Sequence, residues 1–190
     1  MNDYGKHEFA ALRETIRSRG TARPAVALAG LIAWAVVLVA VLAWLPNPVA
    51  SVVPLVILLA AFEAVRTLHL AVERIGRYIQ VFFEADLDGR APTSPPAWEH
   101  TAMQMGPKVP GAGGHPYFVA VFLVAAVVNF LAVVFPGPVP VELAALAIPH
   151  LAFIVWMLYC DRGMRKQRTT ELARFRALKD SLRSQEERPK

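Results

Sequence analysis

Apolar and polar positions along this chain fall in long blocks, not in short alternations. The first apolar block, Pro24–Leu45, reads "PAVALAGLIAWAVVLVAVLAWL". It carries no charge over about 22 residues, enough for a bilayer core of about 30 Å. Three more follow at Pro48–Thr67, Tyr117–Phe135 and Val139–Tyr159. The pattern predicts an all-α, polytopic membrane protein with four transmembrane helices. They form two helical hairpins, closed by "PNP" at 46–48 and "PGP" at 136–138. "LPNPV" and "FPGPV" sit at corresponding points, a weak internal repeat of parallel hairpins. Tight turns in general also favour Pro and Gly.

The second block does not stop at Thr67. Apart from Gly76, no helix breaker occurs before Asp86. Leu68, Val72, Ile75, Ile79 and Phe82 are spaced 4-3-4-3, a heptad seam. Glu63, Arg66, Glu73, Arg77 and Glu84 lie on the other side, with Glu63–Arg66 and Glu73–Arg77 at pairing distance along a helix. Helix 2 is therefore expected to extend into the cytoplasm, to about Glu84. The fourth helix extends likewise, with Leu172, Phe175, Leu178 and Leu182 on one stripe among basic residues. Near the N-terminus, Phe9, Leu12 and Ile16 oppose Arg13 and Arg17. Such stripes must be covered. Either they pack on each other and on neighbouring subunits as a helical layer, or they lie flat in the lipid interface. The narrow seam of helix 2 favours packing. Three regions result: a cytoplasmic amphipathic helix at 1–23, a four-span domain at 24–160 with a cytoplasmic loop at 84–115, and a basic cytoplasmic helix at 161–190.

Charge sets the expected orientation. Neither tight turn contains any of the 20 basic residues. Basic residues flanking spans stay on the cytoplasmic side, so both termini and the 84–115 loop are placed there, in the inner cell membrane. The net charge of +5 is then a matter of topology and calls for no nucleic acid. It suits contact with anionic lipid headgroups. With 55% hydrophobic and 18% charged residues, an ordinary soluble domain is excluded. A lone cysteine, Cys160, excludes an internal disulfide. The first apolar block is too long for a signal-peptide core and is expected to stay uncleaved.

Polar residues inside spans need partners. Glu63, Arg66, Asn129 and His150 form a candidate intramembrane polar network. Glu63 lies about one turn inside the expected inner boundary. Its charge is met by Arg66, by His150 or Asn129 across the bundle, or by a transported proton. Arg66 is close enough to the boundary to snorkel, and His69 falls among the headgroups. Glu142 favours the helix N-terminus beside it. Ala25, Ala29, Ala33, Val36, Ala40 and Ala43 make a narrow face of small residues, expected to pack within the bundle or between subunits. Leu68, Val72, Ile75, Ile79, Phe82, Leu172, Phe175 and Leu182 are the expected cytoplasmic packing seam.

Other chemistry fails on its own terms. Glu84, Asp86, Asp88 and Gly89 follow a calcium loop until its twelfth position, where Pro95 replaces the required Glu. His69 and His150 differ in depth by roughly 16 Å, too far to share a haem iron. His115 follows a Gly-rich loop. No HExxH, nucleotide loop or Ser–His–acid pattern occurs, and Trp98–Glu99–His100 is an isolated polar cluster on a loop with a short helix expected at 98–105. No catalytic residue, metal or cofactor is assigned. The expectation is a non-enzymatic oligomeric scaffold, or an accessory or effector subunit of a membrane or cytoplasmic partner. Alternatives are a small channel or transporter through Glu63 and His150, and an enzyme acting on a lipid or quinone near Glu63, Arg66, His69 and Trp98.

Overall fold

A computed structural model of the chain describes residues 3–45, 47–84, 115–134 and 137–186. These residues are all-helical apart from short turns. Helix α1 spans Asp3–Trp44. A 3-10 turn, Pro48–Ser51, leads into α2, Val52–Ile79, which ends in a π turn, Gln80–Glu84. Helix α3 spans His115–Val134 and α4 spans Pro140–Glu186. Helices α1, α2 and α4 are long and apolar enough to cross a membrane. The apolar side chains of α3 form a shorter run, Tyr117–Ala132. The calcium-like pattern around Asp86, the Trp98 cluster, the helix expected at 98–105 and the His115 side chain lie outside the described residues.

Local chemistry explains the helix starts. The Asn47 side chain accepts from the Val49 amide at 2.9 Å, and Pro48 occupies the first helical position. Helix α4 starts with Pro140, and Glu142 reaches back to accept from the Val139 amide at 3.2 Å. That is the carboxylate half of a capping box. Gly137 supplies the positive φ of 69° that the turn before α4 requires.

From Asp3 onward, the amphipathic segment at 1–23 and the first apolar block run as one helix, and α1 passes through Pro24 unbroken. Proline there costs one hydrogen bond, to the Gly20 carbonyl, and the apolar run that follows sustains the helix.

The chain divides into two compact units. The apolar unit comprises Thr21–Leu68 and His115–Gly163. Its core centres on Phe62 of α2, which meets Phe122 of α3 edge-on at 5.7 Å and Phe153 of α4 at 6.2 Å. Leu58, Phe122 and Met157 are fully enclosed. Helices α1 and α2 approach closely where Gly30 faces Ala61, and a Cβ added at Gly30 would come within 2.4 Å of the Ala61 Cβ. Outside, Leu28, Ile32, Val39, Val56, Leu151 and Val155 stand exposed. A surface this apolar suits lipid, not water. The small-residue stripe of α1 lies on this outer side, with Ala25, Ala29, Ala33, Val36 and Ala43 exposed and Ala40 half-buried. It is not a packing face within the unit. Ala27, Leu38 and Val41 fill that role.

The second, polar unit comprises Met1–Gly20, His69–Gly114 and Met164–Lys190. Tyr78 stands at its aromatic centre, with Phe82 at 4.7 Å and Phe83 and Phe175 each at 5.9 Å. Phe9 closes the group against Phe83 at 5.6 Å. The ends of α1, α2 and α4 are thereby joined.

Candidate functional site

Two hydrogen-bonded groups lie in the apolar unit. The first gathers Trp34 of α1, Ser51 of the 3-10 turn, Asn129 of α3 and His150 of α4. Asn129 is wholly buried, and His150 and Ser51 are nearly so. The Trp34 indole N–H donates to Asn129 Oδ1 at 3.0 Å. An indole nitrogen can only donate, so this bond fixes which end of the amide is oxygen. The Asn129 amide nitrogen then faces the Ser51 carbonyl at 3.0 Å and His150 Nε2 at 2.9 Å. It donates to both. His150 Nε2 is therefore an acceptor, and Nδ1–H donates to the Leu146 carbonyl at 2.7 Å. One donor-only group thus determines the amide orientation and the imidazole tautomer. Phe130 packs edge-on against His150 at 5.2 Å.

The second group is Glu63, Arg66 and Trp156. Arg66 Nε and Nη2 donate to Glu63 Oε2 at 2.8 and 2.5 Å. Trp156 Nε1 donates to Glu63 Oε1 at 2.6 Å. The pair is half-buried, with side-chain exposures of 26% for Arg66 and 31% for Glu63. The Trp156 ring stacks on Tyr159 at 5.8 Å with 25° between planes. The four residues expected as one network thus fall into two: Glu63 with Arg66, and Asn129 with His150. Among the described residues no hydrogen bond joins the groups.

A third cluster lies in the polar unit. Heptad spacing puts Arg77 on the polar side of α2, yet only 2% of it is exposed. Gly76 beside it is buried as well. The guanidinium lies between Glu73, bonded at 3.0 Å, and Glu171 of α4, bonded through Nη1. Arg74 Nε, at 3.1 Å, and Gln167, at 2.6 Å, also donate to Glu171. Burial raises the affinity of the Glu171 carboxyl for a proton. The bonds from Gln167, Arg77 and Arg74 outweigh it and hold the group below its ordinary 4.5. Nearby, Tyr78 donates to Glu8 at 3.1 Å. Burial pushes the Tyr78 hydroxyl up, and its bond to Glu8 acts in the same direction. Lys179 donates to the Val81 carbonyl in the π turn at 2.9 Å.

The seam residues take graded positions. Ile79 is fully buried, whereas Leu68, Val72, Ile75, Phe82, Leu172 and Phe175 are half-buried. Leu178 and Leu182 are exposed, at 48% and 46%. Sequence reasoning overlooked Trp34, Ser51, Trp156 and Glu171 as network members, whereas the expected Glu73–Arg77 pair is present at 3.0 Å. A signal existed for the two tryptophans, because an indole N–H in an apolar helix must find an acceptor. Glu171 could also have been found. It shares a helical face with Met164 and Phe175, in a segment otherwise dominated by basic residues.

No protein-family model, curated protein or solved structure matches the chain.

Proposed function

We propose that the protein is a non-enzymatic membrane scaffold or accessory subunit that presents a helical unit to cytoplasmic or membrane partners. The carrying observation is that the polar unit is a built structure. Arg77 and Glu171 lock α2 to α4, and the aromatic group of Tyr78, Phe83, Phe175 and Phe9 joins α2 with α4 and, through Phe83, with α1. Short tails that merely flank spans need neither a buried ion network nor an aromatic core.

In this reading all four helices span the membrane as two hairpins. The 20 residues of α3 reach about 30 Å, enough to cross. Both termini lie in the cytoplasm, because the two tight turns lack Lys and Arg. Exposed basic residues such as Arg162 and Lys166 meet anionic headgroups or an acidic partner. The exposed small-residue stripe of α1 is available to another copy or a partner helix. A polar path through Glu63 and His150 finds less support, since their hydrogen bonds place them in separate groups.

Mass measurement in mild detergent and in nanodiscs tests the reading. The expected result is an assembly larger than one 20.8 kDa chain, either homo-oligomeric or with a co-purifying partner. A lone monomer under both conditions would overturn it. Reporter fusions at 46–48 and at the C-terminus test the topology separately, with opposite sides of the membrane expected.

A further inference from the structure

We infer that Arg66, Glu63 and Trp156 bind the headgroup of a zwitterionic phospholipid with a primary ammonium, of the phosphoethanolamine class. The inference rests on the membrane reading above and extends it to a specific ligand. It begins from unused hydrogen-bonding capacity. A guanidinium has five N–H donors. Arg66 directs Nε–H and one Nη2–H to the same oxygen of Glu63. Three N–H groups remain, with no partner among the described residues, on a side chain that is 26% exposed. A carboxylate offers about four acceptor sites. Glu63 uses three, two for Arg66 and one for Trp156. One acceptor is left beside three donors.

That remainder matches a phosphate joined to an ammonium. Guanidinium N–H groups recognise phosphate oxygens as a planar fork. The free acceptor on Glu63 takes one ammonium N–H. The exposed faces of Trp156 and Tyr159, stacked together, add an aromatic surface that attracts a cation. The indole N–H is already committed to Glu63, which holds the ring in place.

Charge selects among headgroups. The Glu63–Arg66 pair is neutral overall, so a net anionic headgroup would set its extra charge against Glu63 without compensation. A quaternary ammonium has no N–H for the free acceptor. The expected order is phosphoethanolamine over phosphocholine over phosphoglycerol lipids.

Native mass spectrometry of the full chain from nanodiscs holding the three lipids in equal amounts tests the order. The wild type should retain the phosphoethanolamine lipid in preference to the other two. Arg66→Gln should reduce that retention about tenfold, the loss of one charge-assisted hydrogen bond. Glu63→Leu, which removes every acceptor at this position, should erase the preference over phosphocholine. Arg176→Gln, in an exposed part of the polar unit, should change neither. Equal retention of all three lipids by the wild type would overturn the proposal without recourse to any variant. So would undiminished retention in Arg66→Gln. Displacement by soluble glycerophosphoethanolamine would support headgroup recognition from either source, lipid or free. Equal displacement by inorganic phosphate would refute the ammonium half. Carbonate extraction of membranes checks the membrane reading independently. A chain released by carbonate would sink that reading, whereas a retained but unselective chain would sink only the lipid site.

Discussion

Asn129 is the residue on which the buried polar group of the apolar unit depends. Its amide serves an indole, a backbone carbonyl and an imidazole at once. Each partner loses its bond in Asn129→Leu. Hydrogen bonds between membrane helices average about 0.6 kcal/mol and reach about 1.7, so a loss of about 2 kcal/mol in stability is expected. Trp34→Phe removes one bond and should cost about 0.6 kcal/mol on the same scale. Unfolding titrations in mixed micelles would rank the two, and a reversed order would contradict the geometry. Nitrogen NMR of His150 should show the Nδ1–H tautomer, because Nε2 faces an amide donor. This residue scale was half legible in the sequence. Asn129 and His150 stood out because polar side chains in apolar helices are costly. Their pairing was not legible, since it depends on helix rotation about the long axis. Glu63 stood out for the same reason, but its acceptor role toward Trp156 required the register between α2 and α4.

Two contacts at the scale of elements hold helices together by opposite means. Gly30 brings α1 against α2 by having no side chain. Gly30→Ala should force the helices apart and lower the unfolding midpoint, and Ala61→Gly in the same chain should restore most of the loss. Failure of the double variant to recover would show that the close approach is not what matters at position 30. Arg77 and Glu171 join α2 to α4 by charge. Removing one partner of a buried ion pair leaves the other unmet, at a cost of about 3–5 kcal/mol. Arg77→Ala should fall short of that range, because Arg74 and Gln167 still donate to Glu171, and Arg77→Met with Glu171→Leu should cost less again, since the charges left behind, Glu73 and Arg74, are partly exposed. Chemical denaturation of the polar unit would separate these outcomes. The same contact sets a pH dependence. Folding lowers the Glu171 pKa below 4.5, so its stabilising contribution is full above that value. It fades as pH falls through the lower, folded value. Circular dichroism should show the polar unit loosening below about pH 4.5, and Glu171→Gln should blunt the change. Helix lengths were largely legible, because apolar runs and caps leave local signatures. Helix faces were less so. The 4-3-4-3 pattern of α2 marked an apolar seam but gave no sign that Arg77 would be buried across from it.

The described residues fall into two compact units, each built from several segments of the chain. Deleting residues 164–190 removes Glu171, Phe175 and Lys179 from the polar unit. Hydrogen exchange should then quicken at 5–17 and 70–83, while 52–65 in the apolar unit stays protected. Equal loss of protection in both would mean that they fold as one. Composition made the two kinds of surface plain, since apolar blocks and charged ends alternate along the chain. The division itself follows from tertiary contacts that spacing does not encode. The tight spot between Gly30 and Ala61 also leaves a mark on descent. The two positions share a single small volume, so a lineage that enlarges one must first shrink the other. Across divergent relatives, residue size at 30 and 61 should be traded, and the two should rarely grow together.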